Sequence, residues 1–199
     1  MQDRERRYVA GPVFVPQVTP VNAGHLRRLA YPVLEELHER LGETVQVMVL
    51  KGSNILFVDG IEAVERSLRV GMRIGDEMPA YCSAGGKALL ADMSNVEVEH
   101  LYRGGLTPWP TARFETLSAL KRHLATVRRL GYGTSVEETE QGVCGVGVSV
   151  HAAAGGTVAA VTTAVPSVRF RRHEIPRYFD GLVAARTALE RVLATNETA

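Results

Sequence analysis

The chain has 199 residues, and its 23 basic and 22 acidic side chains give a formal net charge of +1. That length supports one good hydrophobic core with an extension, and the near balance of charge leaves no overall field to attract DNA or an acidic membrane. No stretch has the roughly 20 apolar residues of a membrane helix, and no apolar signal segment follows the charged start. Cys82 and Cys144 have neither disulfide nor metal-binding spacing, so we expect a cytoplasmic protein without metal, cofactor or membrane partner.

The first third of the chain predicts a tail, a long helix and a hairpin. Residues 1–20 are charged and then rich in proline and glycine, so we expect a tail or linker there. An apolar stripe of helical period covers 22–41, and Pro32 inside it predicts either a kink or a junction between two helices. Two β-rich runs flank a turn at 51–54 and predict a hairpin, and 67–70 predicts a third strand.

The remainder alternates between helical and strand patterns. We expect, in order, a helix after Ser83, a short helix over 94–102, an amphipathic helix over 114–130, a strand over 132–135, a hairpin over 145–165 and a terminal helix from 175. This order predicts an α+β fold in which helices pack on an antiparallel sheet.

The segment 78–91 is the most informative part of the chain. Ser83 is suited to cap a helix, and the small residues Ala84, Gly85 and Gly86 would let another group approach its first turn. The free N–H groups of that turn favour a carboxylate or a phosphate. The competing interpretation is a capped helix whose small residues only allow tight packing.

Two nucleotide motifs are excluded. A P-loop needs glycine where this chain has Tyr81 and a hydroxyl residue where it has Ala88. The glycines of segment 142–147 have the reverse of the dinucleotide-binding spacing, and a strand pattern follows them instead of a helix.

Nucleophilic catalysis is an open alternative. Cys144 lies between glycines, but Val146 stands where a nucleophile elbow needs glycine, so a buried or cavity-lining thiol is the favoured interpretation. Glu137, Glu138 and Glu140 could form a carboxylate pair or a cation site, but we favour a solvated loop over 137–140. Trp109, between two prolines, is a candidate for a lid, for an interface contact or for packing on the core.

Five segments together resemble a known family. They are Ala30–Leu37; Gly42–Val45; Val70–Gly71 leading to Ser83–Ala91; Leu124–Tyr132; and Glu137–Glu138 followed by Gly142. In this order and spacing, over about residues 22–195, the chain resembles the C-terminal effector-binding domain of the IclR family of bacterial transcription regulators.

The resemblance implies a GAF-like or profilin-like sheet and a homodimer or homotetramer. We expect the apolar surfaces of the 22–41 helix and of the terminal helix to join the subunits. In the family a winged helix-turn-helix precedes this domain; residues 7–12 look like the end of its wing and the start of a linker. We therefore expect this chain to be the effector domain over 21–199, with 1–20 as linker, and operator DNA to be bound only through the missing module. Alternatives are a thiol-dependent hydrolase or transferase using Cys144 and a GAF-type nucleotide-binding module.

The family's ligand is typically a small organic acid. Carried over to this chain, the resemblance implies a site formed by Ser83, Ala84, Gly85 and Gly86 under the carboxylate, Ser67 and Val70 at the mouth, and Ser135, Val143, Gly145 and Thr162 in the walls. Relatives often have an acidic residue at the position of Ser135 and cysteine at that of Gly145. We expect Gly85 and Gly145 to enlarge the pocket, which favours a bulkier, aromatic acid.

Overall fold

The computed structural model describes residues 20–197 and the side chains of 23–196, so the predicted tail lies outside the described residues except for Pro20. Its helices are α1 (Pro20–Leu41), α2 (Ala84–Asp92), α3 (Asn95–Leu101), α4 (Leu117–Leu130) and α5 (Ile175–Glu197). Its strands are β1 (Thr44–Lys51), β2 (Asn54–Ile61), β3 (Glu77–Pro79), β4 (Gly133–Val136), β5 (Val143–His151) and β6 (Thr157–Pro166).

The six strands form one sheet in the order β3-β2-β1-β6-β5-β4, and every neighbouring pair is antiparallel. The two predicted hairpins are β1–β2 and β5–β6, and the pairing of β1 with β6 joins them. Gln46 of β1 lies opposite Thr162 of β6 in this register. The α+β prediction is confirmed.

Helices cover both faces of the sheet. Successive side chains of a strand point to opposite faces, and on β1 the residues Val45, Val47 and Val49 pack in the core that α1 and α5 cover. Met48 packs in the second core, with residues of α2, α3 and α4. Because both faces are covered, the central strands read as nearly continuous apolar runs in the sequence.

The start of α2 lies almost directly on the backbones of β4 and β5. A Cβ atom on Gly147 would lie 2.7 Å from the Gly85 nitrogen, and one on Gly133 would lie 2.2 Å from the Ala84 oxygen. Any larger residue at these two strand positions would therefore push the helix away. Part of the glycine-rich stretch of β5 thus serves helix–sheet packing.

Two details differ from the sequence expectations. Pro32 lies inside one continuous helix, on its exposed side. Residues 67–70 form no strand: the Val70 carbonyl accepts from the Thr44 hydroxyl at 2.6 Å, and the Leu68 carbonyl accepts from Arg169 at 2.8 Å. Side chains, not a neighbouring strand, take up the backbone acceptors of this segment, and the additional strand is β3.

The apolar stripes of α1 and α5, which we expected to join subunits, are used within the chain. Leu34 of α1 and Leu182 and Leu189 of α5 are fully buried against the sheet and each other. A homodimer or homotetramer stays a prediction. Within residues 20–197, no helix combines the length and the apolar character that crossing a membrane requires.

Candidate functional site

A small cavity lies between the start of α2, the sheet and the segments 70–78 and 135–145. Its volume is about 40 Å³, room for a few water molecules. It is lined by Gln46, Met48, Phe57, Val70, Arg73, Met78, Ser83, Ala84, Ser135, Thr139, Val143, Cys144, Gly145, Thr162, Thr163 and Ala164. An aromatic ring would therefore fit only if the lining side chains moved apart.

Ser83 caps α2, as predicted. Its Oγ accepts a hydrogen bond from the Gly86 N–H at 2.8 Å, and its carbonyl accepts from the Lys87 N–H at 3.0 Å. The earlier N–H groups of the first turn, at Ala84 and Gly85, have no acceptor within the helix. Ala84 lines the cavity, so the partly positive end of α2 lies at its wall.

Two hydroxyl groups in the cavity wall are used inside the protein. The Ser135 hydroxyl donates to the Cys82 carbonyl at 3.0 Å, and the Thr163 hydroxyl donates to the Thr44 carbonyl at 3.3 Å. These bonds tie β4 to the turn before α2 and β6 to β1. They position the walls and leave fewer donors for a ligand.

Gln46 is one of the cavity-lining residues that sequence reasoning missed. It lines the cavity, is only 5% exposed, and its Nε2 has no hydrogen-bond partner among the described residues. The signal was one amide in the apolar run of β1, where Val45 and Val47 flank it. A buried amide without a partner is costly and calls for an explanation.

An ion pair lies at the mouth of the cavity, where Arg73 donates to the exposed carboxylate of Glu140. Next to it, Trp109 Nε1 donates to the Thr139 carbonyl at 3.0 Å, and the Thr111 hydroxyl donates to the Glu138 carbonyl at 2.9 Å. Trp109 thus binds the acidic loop. These contacts hold the loop 137–140 over the cavity.

A buried ion pair anchors the same loop to α2. Lys87 Nζ lies 2.6 Å from Glu138 Oε2, and the two side chains are 0% and 4% exposed. Burial lowers the pKa of Lys87, and the Glu138 carboxylate opposes that shift. The prediction of a solvated acidic loop is therefore wrong for Glu138, whose partner lies 51 positions earlier in the chain.

The structure brings most of the predicted site residues together. Those that line the cavity are Val70, Ser83, Ala84, Ser135, Val143, Gly145 and Thr162. Ser67 is exposed and outside the lining. A Cβ atom on Gly85 would lie 2.6 Å from Thr162 Cγ2, and one on Gly86 would lie 2.1 Å from the Ala80 oxygen. Both glycines make room for the protein itself, so Gly85 does not enlarge the pocket.

The two thiols are poorly suited to nucleophilic catalysis. Burial raises the pKa of Cys82 to about 12 and also raises the pKa of Cys144. Both are free and buried, and a thiol is a nucleophile only when it is ionised. Within residues 20–197, no group of three or more metal-binding side chains is placed to hold a metal ion.

The chain matches a family model and several regulators. Residues 18–191 match the model described as "Bacterial transcriptional regulator IclR C-terminal". The chain is 32% identical over 167 residues to the HTH-type transcriptional regulator Rv1719 of Mycobacterium tuberculosis, covering 84% of this chain and 63% of that protein. It is 29% identical over 151 residues to the Pca regulon regulatory protein of Pseudomonas putida, covering 75% of this chain and 52% of the relative. The chain thus spans between half and two thirds of these relatives.

Solved structures of the family share the fold. The Thermotoga maritima IclR structure superposes with a TM-score of 0.79 at 28% identity, covering 97% of this chain and 78% of that one. An IclR homolog of Microbacterium hydrocarbonoxydans, complexed with 4-hydroxybenzoate, superposes with a TM-score of 0.72 at 25% identity, covering 86% of this chain and 69% of that one.

These relatives are transcription regulators and not enzymes, in agreement with the prediction that this chain has no catalytic role. The family match covers nearly the whole chain, and the α+β sheet with its capped α2 has the architecture of the solved family members. The chain therefore belongs to the IclR family of bacterial transcription regulators, and it comprises the family's C-terminal effector-binding domain.

Proposed function

We propose that this domain binds a small organic acid in the cavity at the start of α2, and that binding changes the DNA affinity of the full-length regulator. The observation that carries the proposal is the cavity itself. One wall is the partly positive end of a helix, and the lining also contains a buried amide without a partner among the described residues.

The lining fits an acid with a hydrocarbon body. The end of α2 supplies partial positive charge, whereas Met48, Phe57 and Met78 supply an apolar surface. Aromatic acids are the first class to test, since the homolog of Microbacterium hydrocarbonoxydans was solved with 4-hydroxybenzoate. Binding to a cavity of about 40 Å³ must move its walls apart.

That movement supplies a route for signalling. The loop 137–140 lies over the cavity and is bonded to Lys87 and to segment 109–111. A ligand that binds the domain better when the cavity walls are apart shifts the population of molecules toward that open state. The shift in free energy is no larger than the difference between the ligand's binding free energies for the open and closed states. The same difference sets how far the ligand can alter operator binding in the full-length protein.

A thermal-shift screen of the 199-residue chain against aromatic and aliphatic acids tests the proposal. At about 100 times its dissociation constant, a ligand should add about 2.7 kcal/mol to the free energy of unfolding. Ala164→Leu should abolish the shift, because Ala164 lines the cavity and a larger side chain would fill it. Ala153→Leu, in the exposed turn between β5 and β6, should respond like the wild type.

The proposal would be contradicted if no acid raised the melting temperature of folded wild-type protein. It would also be contradicted if an acid raised the melting temperature of Ala164→Leu as much as that of the wild type. Saturable binding of a cyclic nucleotide in place of an acid would support the GAF-type alternative.

A further inference from the structure

The unpaired amide of Gln46 is the starting point. Among the described residues, only two buried side-chain nitrogen or oxygen atoms have no hydrogen-bond partner, Gln46 Nε2 and His123 Nε2. His123 packs against the Phe114 ring and does not line the cavity, whereas Gln46 does. Leaving a buried amide donor unpaired destabilises a fold. A methionine would fill similar space without that cost.

Gln46 is held in place by its surroundings. Its position on β1 pairs with Thr162 of β6 on one side and with Gly60 of β2 on the other. A Cβ atom on Gly60 would lie 3.0 Å from the Gln46 side chain and 3.2 Å from Met72 Sδ. The missing side chain at Gly60 therefore makes room for Gln46, which is packed on the cavity wall and not free to turn toward solvent.

Four other polar side chains of the lining are engaged within the protein. Ser135 and Thr163 donate to backbone carbonyls, Ser83 caps α2, and Arg73 binds Glu140. Among the described residues that line the cavity, the buried side-chain nitrogen or oxygen atom without a partner is Gln46 Nε2. A ligand whose carboxylate lies at the start of α2 would need another oxygen-bearing group to satisfy Gln46.

We propose that Gln46 is the specificity-determining residue of the effector site: its amide selects acids with a second oxygen-bearing group besides the carboxylate, such as hydroxy, oxo or dicarboxylic acids, over plain hydrocarbon acids. This inference rests on the proposed function. Binding of this second group would remove the cost of the unpaired donor, and an acid without that group would leave the cost in place. For this reason, sites that bind a hydroxyl or carbonyl group of a ligand discriminate strongly against analogues that lack the group.

The test compares matched acids on matched variants of the full chain. The probes are 4-hydroxybenzoate against benzoate and pyruvate against propionate, with affinities measured by calorimetry. In Gln46→Met, the affinity for the oxygenated acid should fall about tenfold or more and that for the plain acid less than about threefold. Gln141→Met, an exposed glutamine outside the lining, should bind like the wild type.

A second readout needs no ligand. Gln46→Met removes the unpaired donor, so its melting temperature without ligand should equal or exceed that of the wild type. A clearly lower value would show that Gln46 holds the fold together, for example through a bound water, and would overturn the inference.

The binding outcomes separate the two proposals. If the wild type binds both acids of a pair equally well, or if Gln46→Met weakens both equally, the role of Gln46 is refuted while the effector site stands. If the wild type binds neither pair, nor any other acid in the screen, the proposed function fails and the role of Gln46 fails with it.

Discussion

Gly86 shows how a small residue can be required by the protein and not by a ligand. The pattern around Ser83 predicted a close backbone approach at Gly86, and a close approach exists. The approaching group is Ala80, whose backbone oxygen would lie 2.1 Å from a Cβ atom at position 86. The sequence indicates that space is needed there, but what fills the space depends on how the preceding turn folds back.

Gly86→Ala should therefore lower the free energy of unfolding by about 1–3 kcal/mol or more, because its new methyl group meets backbone that cannot move aside easily. Gly24→Ala is the matched control in α1, where a Cβ atom would meet nothing within 4 Å. Its expected effect is a gain of about 0.5–1 kcal/mol. Urea unfolding of both variants checks the pair, and equal effects would contradict this account.

Site residues were predictable where their contacts are local. Ser83 caps a helix three residues away, so its role follows from local sequence rules. Gln46 depends on strands β2 and β6, and its unpaired amide appears only once those strands, α2 and segment 70–78 surround it. No property of its neighbours in sequence shows which atoms will be left without a partner.

At the scale of elements, the Lys87–Glu138 pair decides how α2 is joined to the loop 137–140. An acidic run is usually solvated, and Glu140 is half exposed in agreement with that rule. Glu138 departs from it because a lysine from α2 reaches it in the interior and the Phe114 ring lies 5.6 Å from the Lys87 Nζ. Breaking one member of such a buried pair leaves an uncompensated charge.

Lys87→Met or Glu138→Leu alone should lower the free energy of unfolding by about 3–5 kcal/mol, whereas the double variant should lose less than either single one. Lys121→Met should lose less than about 1 kcal/mol, because its partner Glu99 is half exposed. A double-mutant cycle by urea unfolding measures the coupling. Additive losses would show that the two charges stabilise the fold independently.

For the whole molecule, the sequence predicted the α+β architecture because patterning and turn chemistry are local. The two hairpins and the cap of α2 follow from these local patterns. The pairing of β1 with β6 and the edge position of β3 do not, since they depend on contacts between distant segments. Only the assembled sheet creates the cavity and the buried surroundings of α4.

Because of those surroundings, His123 makes the stability of the domain depend on pH. Burial, followed by the positive charges of Lys87 and Arg113, lowers the pKa of His123 from 6.5 to about 4. On acidification the unfolded chain binds a proton before the folded one does. The stabilising contribution is therefore complete above pH 6.5 and is lost progressively as the pH falls from 6.5 to 4.

His123→Phe keeps a ring beside Phe114 and removes the titrating group, so its free energy of unfolding should fall less between pH 7 and pH 4. The difference from the wild type should approach about 3 kcal/mol at most, since each pKa unit corresponds to about 1.4 kcal/mol. Carboxylates also titrate in this range, so the comparison is between variants at each pH. His100→Phe, at an exposed position, should follow the wild type. The free energy of unfolding of His123→Phe could instead fall with pH as steeply as that of the wild type. That result would mean that the imidazole takes up its proton in the folded domain as readily as in the unfolded chain.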